Sequence, residues 1–330
     1  MERIRAGFSF RKYAFDIAQW LHTSIKRVSV IVPNYNYARF LDDRLRSIVQ
    51  QTYPVYELIV LDDASNDESV AQAREFLSGT EIDNRLIVNT TNSGSVFRQW
   101  RRGVEAATGD YIWIAEADDI AEPEFLAHAI AAFTDSEVVM SYTESQQMSA
   151  DGTILCSNYL DYVADISPDR WKHAYRARGI DEIREALTVK NCIPNVSAVV
   201  FKRETLLDVL STRSAQIESF RIAGDWVTYL NVLEHGCIAF VPTPLNRHRR
   251  HERSVTLEAF NVEQLKEIMT VQAMAASRVS PRSSVRRLAL DYATRLYRQF
   301  GLATDSAPTP LEHDVLGAIA RAIEIGRAHV

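Results

Sequence analysis

Residues 111–115, Tyr-Ile-Trp-Ile-Ala, form a short apolar run that ends abruptly in Glu116, Asp118 and Asp119. A run this rich in β-forming residues and free of charge is that of an interior strand. Three carboxylates at its end would repel one another unless a cation lay among them. The carboxyl ends of parallel strands are also where open α/β sheets bind ligands. A divalent metal satisfies both constraints. Read more plainly, the same residues are a solvated loop in which Asp118 or Asp119 caps a helix that Pro123 opens. What surrounds the cluster has to decide between the two.

From Arg27 onward strand and helix patterns alternate, which predicts βαβ units and a mostly parallel sheet. Strands are expected at 28–32, stopped by Pro33, and at 56–61, 85–89 and 111–115. Between them, helices are expected at 40–51, with Leu41, Leu45 and Ile48 inward, up to about Leu77, and at 95–107, with Val96, Trp100 and Val104 on one face. Every strand then delivers polar residues at its carboxyl end: Asn34 and Asn36, Asp62 and Asp63, Asn92, and the acidic cluster. A crevice with chemistry follows. Further along, 137–142 and 196–201 read as strands, 203–210 and a segment from Gly224 to near Gly236 as helices, and 237–241 and 245–249 as two last strands.

Four other parts of the chain frame this domain of residues 27–257. Residues 1–26 predict an amphipathic helix docked on the body, with Phe10, Tyr13, Ile17 and Leu21 on one face. Residues 157–190 interrupt the alternation and are expected to insert as one wall of the cleft. A helical extension is expected over 258–324. Residues 325–330, Ile-Gly-Arg-Ala-His-Val, look like a translated sequencing adapter and are set aside as a non-native tail.

The formal net charge of −6 argues against a surface built for nucleic-acid phosphates. Cys156, Cys192 and Cys237 are odd in number and stand in no metal-ligand spacing, so reduced thiols without structural zinc are expected. No apolar run is long enough to cross a bilayer, which predicts a soluble or at most peripheral, cytoplasmic protein.

Six segments in fixed order carry a resemblance. They are VSVIVPNYN at 28–36, LIVLDDASND at 58–67, NSGSVFRQWRRGVEAATGDYIWIAEADD at 92–119, NCIPNVSAVVFKR at 191–203, GDW at 224–226 and LNRHRRHERSVT at 245–256. Together they resemble glycosyltransferase family 2, inverting enzymes with the GT-A fold. The fold implied is α/β, a Rossmann-like, mostly parallel sheet flanked by helices, here with a C-terminal helical extension. The activity implied is transfer of a sugar from a nucleotide-sugar donor to a hydroxyl of a glycan or lipid-linked acceptor, in bacterial surface-polysaccharide assembly, with Mn²⁺ or Mg²⁺ and no nucleic-acid partner. Peripheral association with the inner face of the membrane fits that setting.

The resemblance also assigns residues. Pro33, Asn34, Tyr35, Asp62 and Asp63 match the segments that hold the nucleotide; a carboxylate can accept a base N–H and an aromatic ring can stack on it. Asp62 or Asp63 could equally do no more than order a turn. The acidic cluster matches a DXD-type motif in which Asp118 serves the donor and Asp119 the metal, with Glu116 where a first Asp is usual. Asp225 matches the catalytic base, in a pair usually written Glu-Asp but here Gly224-Asp225, and an Asp at that place is also a good helix cap. Arg249 and His251 match an Arg-x-His that returns over the diphosphate, the His as a metal ligand; Arg247, Arg250 and Arg253 are expected to be solvated.

Two other classes stay open. A sugar nucleotidyltransferase should carry a Gly-rich, basic loop after the first strand, where this chain has Pro33-Asn34-Tyr35-Asn36-Tyr37. A non-catalytic nucleotide-sugar or glycan-binding module would share the binding residues.

Overall fold

The computed structural model describes residues 25–251 and 260–300. Nearly all of the expected N-terminal helix, Arg253, the extension beyond residue 300 and the tail at 325–330 lie outside them.

The first half is the predicted alternation: β1 (Val28–Asn34), α1 (Ala38–Val49), β2 (Glu57–Asp62), α2 (Ser69–Ser78), β3 (Asp83–Val88), α3 (Val96–Ala106) and β4 (Tyr111–Ile114). These strands are parallel, in the order β3-β2-β1-β4. The second half adds β5 (Ile120–Ala121), α4 (Phe125–Ala131), β6 (Val138–Ser149), β7 (Ile154–Cys156), β8 (Tyr175–Arg178), β9 (Val199–Lys202), α5 (Arg203–Thr212), α6 (Gly224–Leu233) and β10 (Cys237–Arg250). Strand β9 runs antiparallel between β4 and β6, and β10 lies parallel to β6, so one mixed, mostly parallel sheet continues across the molecule. Helices α7 (Val262–Val279) and α8 (Ser283–Gln299) close the described chain; none of the described helices is long and apolar enough to cross a membrane.

Because side chains alternate along a strand, each central strand feeds two cores. Val28, Val30 and Val32 of β1 pack with Leu41, Leu45 and Ile48 of α1 on one face, whereas Ile31, Ile59 and Leu61 meet Phe97, Trp100 and Val104 of α3 on the other. Burying one such side chain stabilises the fold by about 1.5–3 kcal/mol. The strongly apolar strands are thus covered on both sides, as the uninterrupted hydrophobic runs predict.

At three places proline sits differently from expectation. Pro33 does not stop β1: it pairs with Leu61 of β2, while the ladder with β4 has already ended at Ile31 and Ile114, so the missing N–H removes no bond on that side. Pro123 stands two residues before α4 rather than in its first turn. The two last strands are one, β10, whose ladder to β6 shifts register around Pro244 and so absorbs Pro242 and Pro244. The 157–190 segment is tied in by β8, which pairs with β10.

Candidate active site

The quoted motifs meet at the carboxyl ends of β1, β2 and β4. Glu116 receives the indole N–H of Trp100 at 2.9 Å, and its own backbone N–H donates to Ser197 Oγ at 3.1 Å. Burial and the charge of Asp118 push its carboxyl up to about 8. Asp119, 2% exposed, accepts the Arg249 backbone N–H at 2.8 Å; burial and Asp118 likewise hold it above the ordinary carboxylate range. At the opposite end of the sheet stands a carboxylate that shows the contrast. Burial pushes Glu57 up, but donors from Ser29, Thr108 and Arg85 outweigh it, and the group titrates below its ordinary value. Glu57 is compensated by protein donors, whereas burial and the Asp118 charge outweigh what Trp100 offers Glu116, what Ser197 offers Asp119 and what Arg44 offers both.

Strand alternation explains the basic segment of β10. Arg249 and His251 point to the acidic cluster, and His248 and Arg250 to the other side. His251 Nε2 lies 2.9 Å from Asp118 Oδ2, with its ring against Phe40 and Tyr37. Asp118, Asp119 and His251 are a donor set suited to Mn²⁺ or Mg²⁺. Among the described residues no group of three His, Cys, Asp or Glu side chains is arranged to hold a metal ion. Arg249 is 3% exposed and donates to the carbonyls of Asp118 at 2.7 Å and Ala150 at 2.9 Å. It clamps the loop after β4 to the β6–β7 turn. Arg247 pairs with Glu122.

The nucleotide segments are stitched together. Asn34 donates to Asp62 Oδ2 at 2.7 Å, and Ser65 N–H to Asp62 Oδ1 at 2.8 Å. Asp63 accepts from Asn89, from the N–H and hydroxyl of Ser93, and from Gln99. Both carboxylates therefore order the loops after β1, β2 and β3 against one another. Tyr35, 46% exposed, is the aromatic surface this frame presents.

Asp225 stands in the first turn of α6. Its Oδ2 accepts Asn191 Nδ2 at 2.9 Å and its Oδ1 the Trp226 backbone N–H at 2.6 Å. Burial pushes it up to about 7 against those two donors, and the Glu267 charge adds to the rise. Glu267, on α7, accepts the backbone N–H groups of Arg221, Ile222 and Ala223 at 2.7, 2.8 and 3.1 Å and so fixes the approach to α6. Neither Glu267 nor Asn191 is picked out by sequence: an acidic residue on an exposed helix face looks like any other, and Asn191 carries meaning only once Asp225 is seen beside it.

Gly224 explains the departure from the usual acidic pair. A Cβ there would lie 2.5 Å from Phe97 Cζ, so the ring fills the space of a side chain. Gly224→Ala is expected to destabilise the protein by about 1–3 kcal/mol in chemical denaturation and to lower turnover by displacing Asp225; an unchanged melting curve would contradict that packing.

Asp225 lies in the wall of a cavity of about 550 Å³. Tyr159, Tyr162 and Lys190 come to it from the 157–190 segment, His248 and Arg250 from β10, and Tyr292 from α8. The insertion thus forms a wall, and Arg250, expected to be solvated, lines the cavity. His248 is pushed down to about 4 by burial and the Arg250 charge, and its neutral ring lies 2.6 Å from the Tyr159 hydroxyl. Lys190 is held by Asp165 at 2.7 Å.

A sequence model of glycosyl transferase family 2 matches residues 29–180. A protein provisionally named as the teichuronic acid biosynthesis glycosyltransferase TuaG of Bacillus subtilis is 27% identical over 216 residues, 64% of this chain and 74% of its own. An uncharacterized glycosyltransferase of Haemophilus influenzae is 26% identical over 253 residues, 72% of this chain and 69% of its own. Among solved structures, S. aureus TarS 1–349 in complex with UDP-GlcNAc superposes with a TM-score of 0.66 at 16% identity, over 92% of this chain and 84% of that one. The mannosyltransferase PcManGT of Pyrobaculum calidifontis, in complex with GDP-Man and Mn²⁺, gives 0.53 at 17% identity, over 96% and 89%. At these identities the two structures speak for the fold.

Proposed function

We propose, for a chain that belongs to glycosyl transferase family 2 and has the GT-A fold, that it moves one sugar from a nucleoside-diphosphate sugar to a hydroxyl of a glycan or lipid-linked glycan, with inversion. The observation that carries this reading is Asp225: a carboxylate held by two donors and raised by burial to about 7, in the wall of a cavity that His248 and Arg250 also line. The acceptor hydroxyl would lie in that cavity, with Tyr159, Tyr162 and Tyr292 offering faces to a sugar. Asp225 takes the hydroxyl proton as the oxygen bonds to the anomeric carbon; the bond from that carbon to the diphosphate oxygen breaks, and its electron pair leaves with the nucleoside diphosphate.

On the donor side, Pro33, Asn34, Tyr35, Asp62 and Asp63 frame the nucleotide. Asp118 and Arg249 bound the diphosphate, and Asp119 and His251 would hold Mn²⁺ or Mg²⁺. When bound, that ion supplies Lewis-acid relief of the charge gathering on the leaving diphosphate. Neighbours crystallised with UDP-GlcNAc and with GDP-Man and Mn²⁺ support a nucleotide-sugar donor and a divalent ion. The TuaG likeness supports a role in bacterial polysaccharide biosynthesis, and we place that role at the cytoplasmic face of the membrane.

The pH profile tests the role of Asp225. Because only the ionised carboxylate can accept a proton, kcat/KM should rise about tenfold per pH unit and level off above about 7. Asn191 favours the ionised form, so Asn191→Leu should move that limb to higher pH. A profile flat from pH 5 to 9 in both proteins would remove Asp225 from the mechanism.

A further inference from the structure

On the inward face of α1, three residues after Leu41 and four before Ile48, stands Arg44, with 0% exposure. Its Nε, Nη1 and Nη2 have no hydrogen-bond partner. The guanidinium carbon lies 4.9 Å from the ring centroid of Trp113, on the strand that ends in the acidic cluster. Buried arginines ordinarily engage a carboxylate or carbonyls through their fork of donors, as Arg249 does with Asp118 and Ala150. An uncompensated charge in such a place is strongly disfavoured. What sustains Arg44 is the field of the cluster. Burial pushes it down, and Asp119, Asp118 and Glu116, in that order, hold it up, so that it still titrates at about 10 and stays charged at neutral pH. The same helix reaches the site directly, since Phe40, one turn before Arg44, packs against His251 and under the Arg249 guanidinium.

We propose that Arg44 is a resident counter-cation of the acidic cluster, a positioning residue whose charge keeps the carboxylates assembled without donor and makes them hold a free divalent ion weakly until a donor diphosphate completes the site. The inference rests on the reading of Asp119 and His251 as metal-holding residues. A second positive charge in the same field must compete with the ion, because like charges close together in a partly buried site repel strongly. Arg44 therefore acts as a brake on donor-free metal binding.

The test is Mn²⁺ titration without donor, following free Mn²⁺ by electron paramagnetic resonance, with wild type, Asp119→Ala, Arg44→Met and Arg44→Lys. Arg44→Met should bind Mn²⁺ about tenfold more tightly than wild type, Arg44→Lys should stay near wild type, and Asp119→Ala should lose the site. Should Arg44→Met fail to fold in EDTA, refolding with Mn²⁺ should recover it, the ion replacing the missing charge; failure under both conditions would overturn the proposal. Equal Mn²⁺ affinity in wild type and Arg44→Met, with Asp119→Ala still deficient, would leave the metal reading standing and overturn the role of Arg44. Binding indifferent to Asp119 would overturn both.

Discussion

Asp225→Asn is expected to lower kcat by about 10³-fold while leaving donor affinity within about threefold of wild type. The amide keeps the shape of the carboxylate and can still accept the Trp226 N–H, so α6 keeps its first turn. What it cannot do is take a proton. The same substitution has a stability signature of opposite sign. Folded Asp225 keeps its proton up to about 7, against an ordinary 3.8, so the stability it contributes is full below about pH 4 and is lost as pH rises through 7. The Asn variant should thus become more stable than wild type between pH 4 and 7 and remain so above, by on the order of 2 kcal/mol. Calorimetry at pH 4 and pH 8 beside single-turnover kinetics separates the two effects. A variant both slower and less stable at pH 8 would point to a helix cap rather than a base.

Asp119→Ala should reduce nucleoside diphosphate release by about 10³-fold or more and abolish its response to Mn²⁺ and Mg²⁺. Its effect on the fold is a sum of opposing contributions, among them the loss of the charge that foremost supports buried Arg44. Deleting the carboxylate leaves the Arg249 N–H without its acceptor, at a loss of roughly 1 kcal/mol. It also relieves a group that burial and the Asp118 charge hold above its ordinary range, and the two effects oppose each other. Such a residue is kept for what it binds rather than for stability alone. Metal-independent turnover in the variant would count against that role.

How much of this was legible in the sequence depended on what kind of signal each residue leaves. The inner strands β1, β2 and β4 were readable because both faces are buried and the runs are unbroken, and their carboxyl ends were readable because polar residues follow at once. The continuity of β10 was not, since Pro242 and Pro244 read as a break and only the partner strand β6 shows how shifted register accommodates them. Arg44 left a signal that went unread: spaced three and four residues from Leu41 and Ile48, it falls on the buried face of α1, and a charge there asks for a partner. Arg249 and His251 were identified by resemblance. The structure adds that strand alternation separates them from His248 and Arg250, giving one pair to the cluster and the other to the cavity. The cavity wall is drawn from Tyr159, Tyr162, Lys190 and Tyr292, far apart in the chain, and no local pattern could have joined them.

The most direct test of the central claim is donor turnover: wild type with UDP-, GDP- and dTDP-sugars, with Mn²⁺, Mg²⁺ or chelator, read as release of the nucleoside diphosphate beside Asp119→Ala and Asp225→Asn. The account predicts release from one class of donor that chelator and each substitution abolish. A donor that binds tightly with metal yet is never turned over, across a broad panel of acceptors, would contradict it and mark the protein as a binding module with the fold of a transferase.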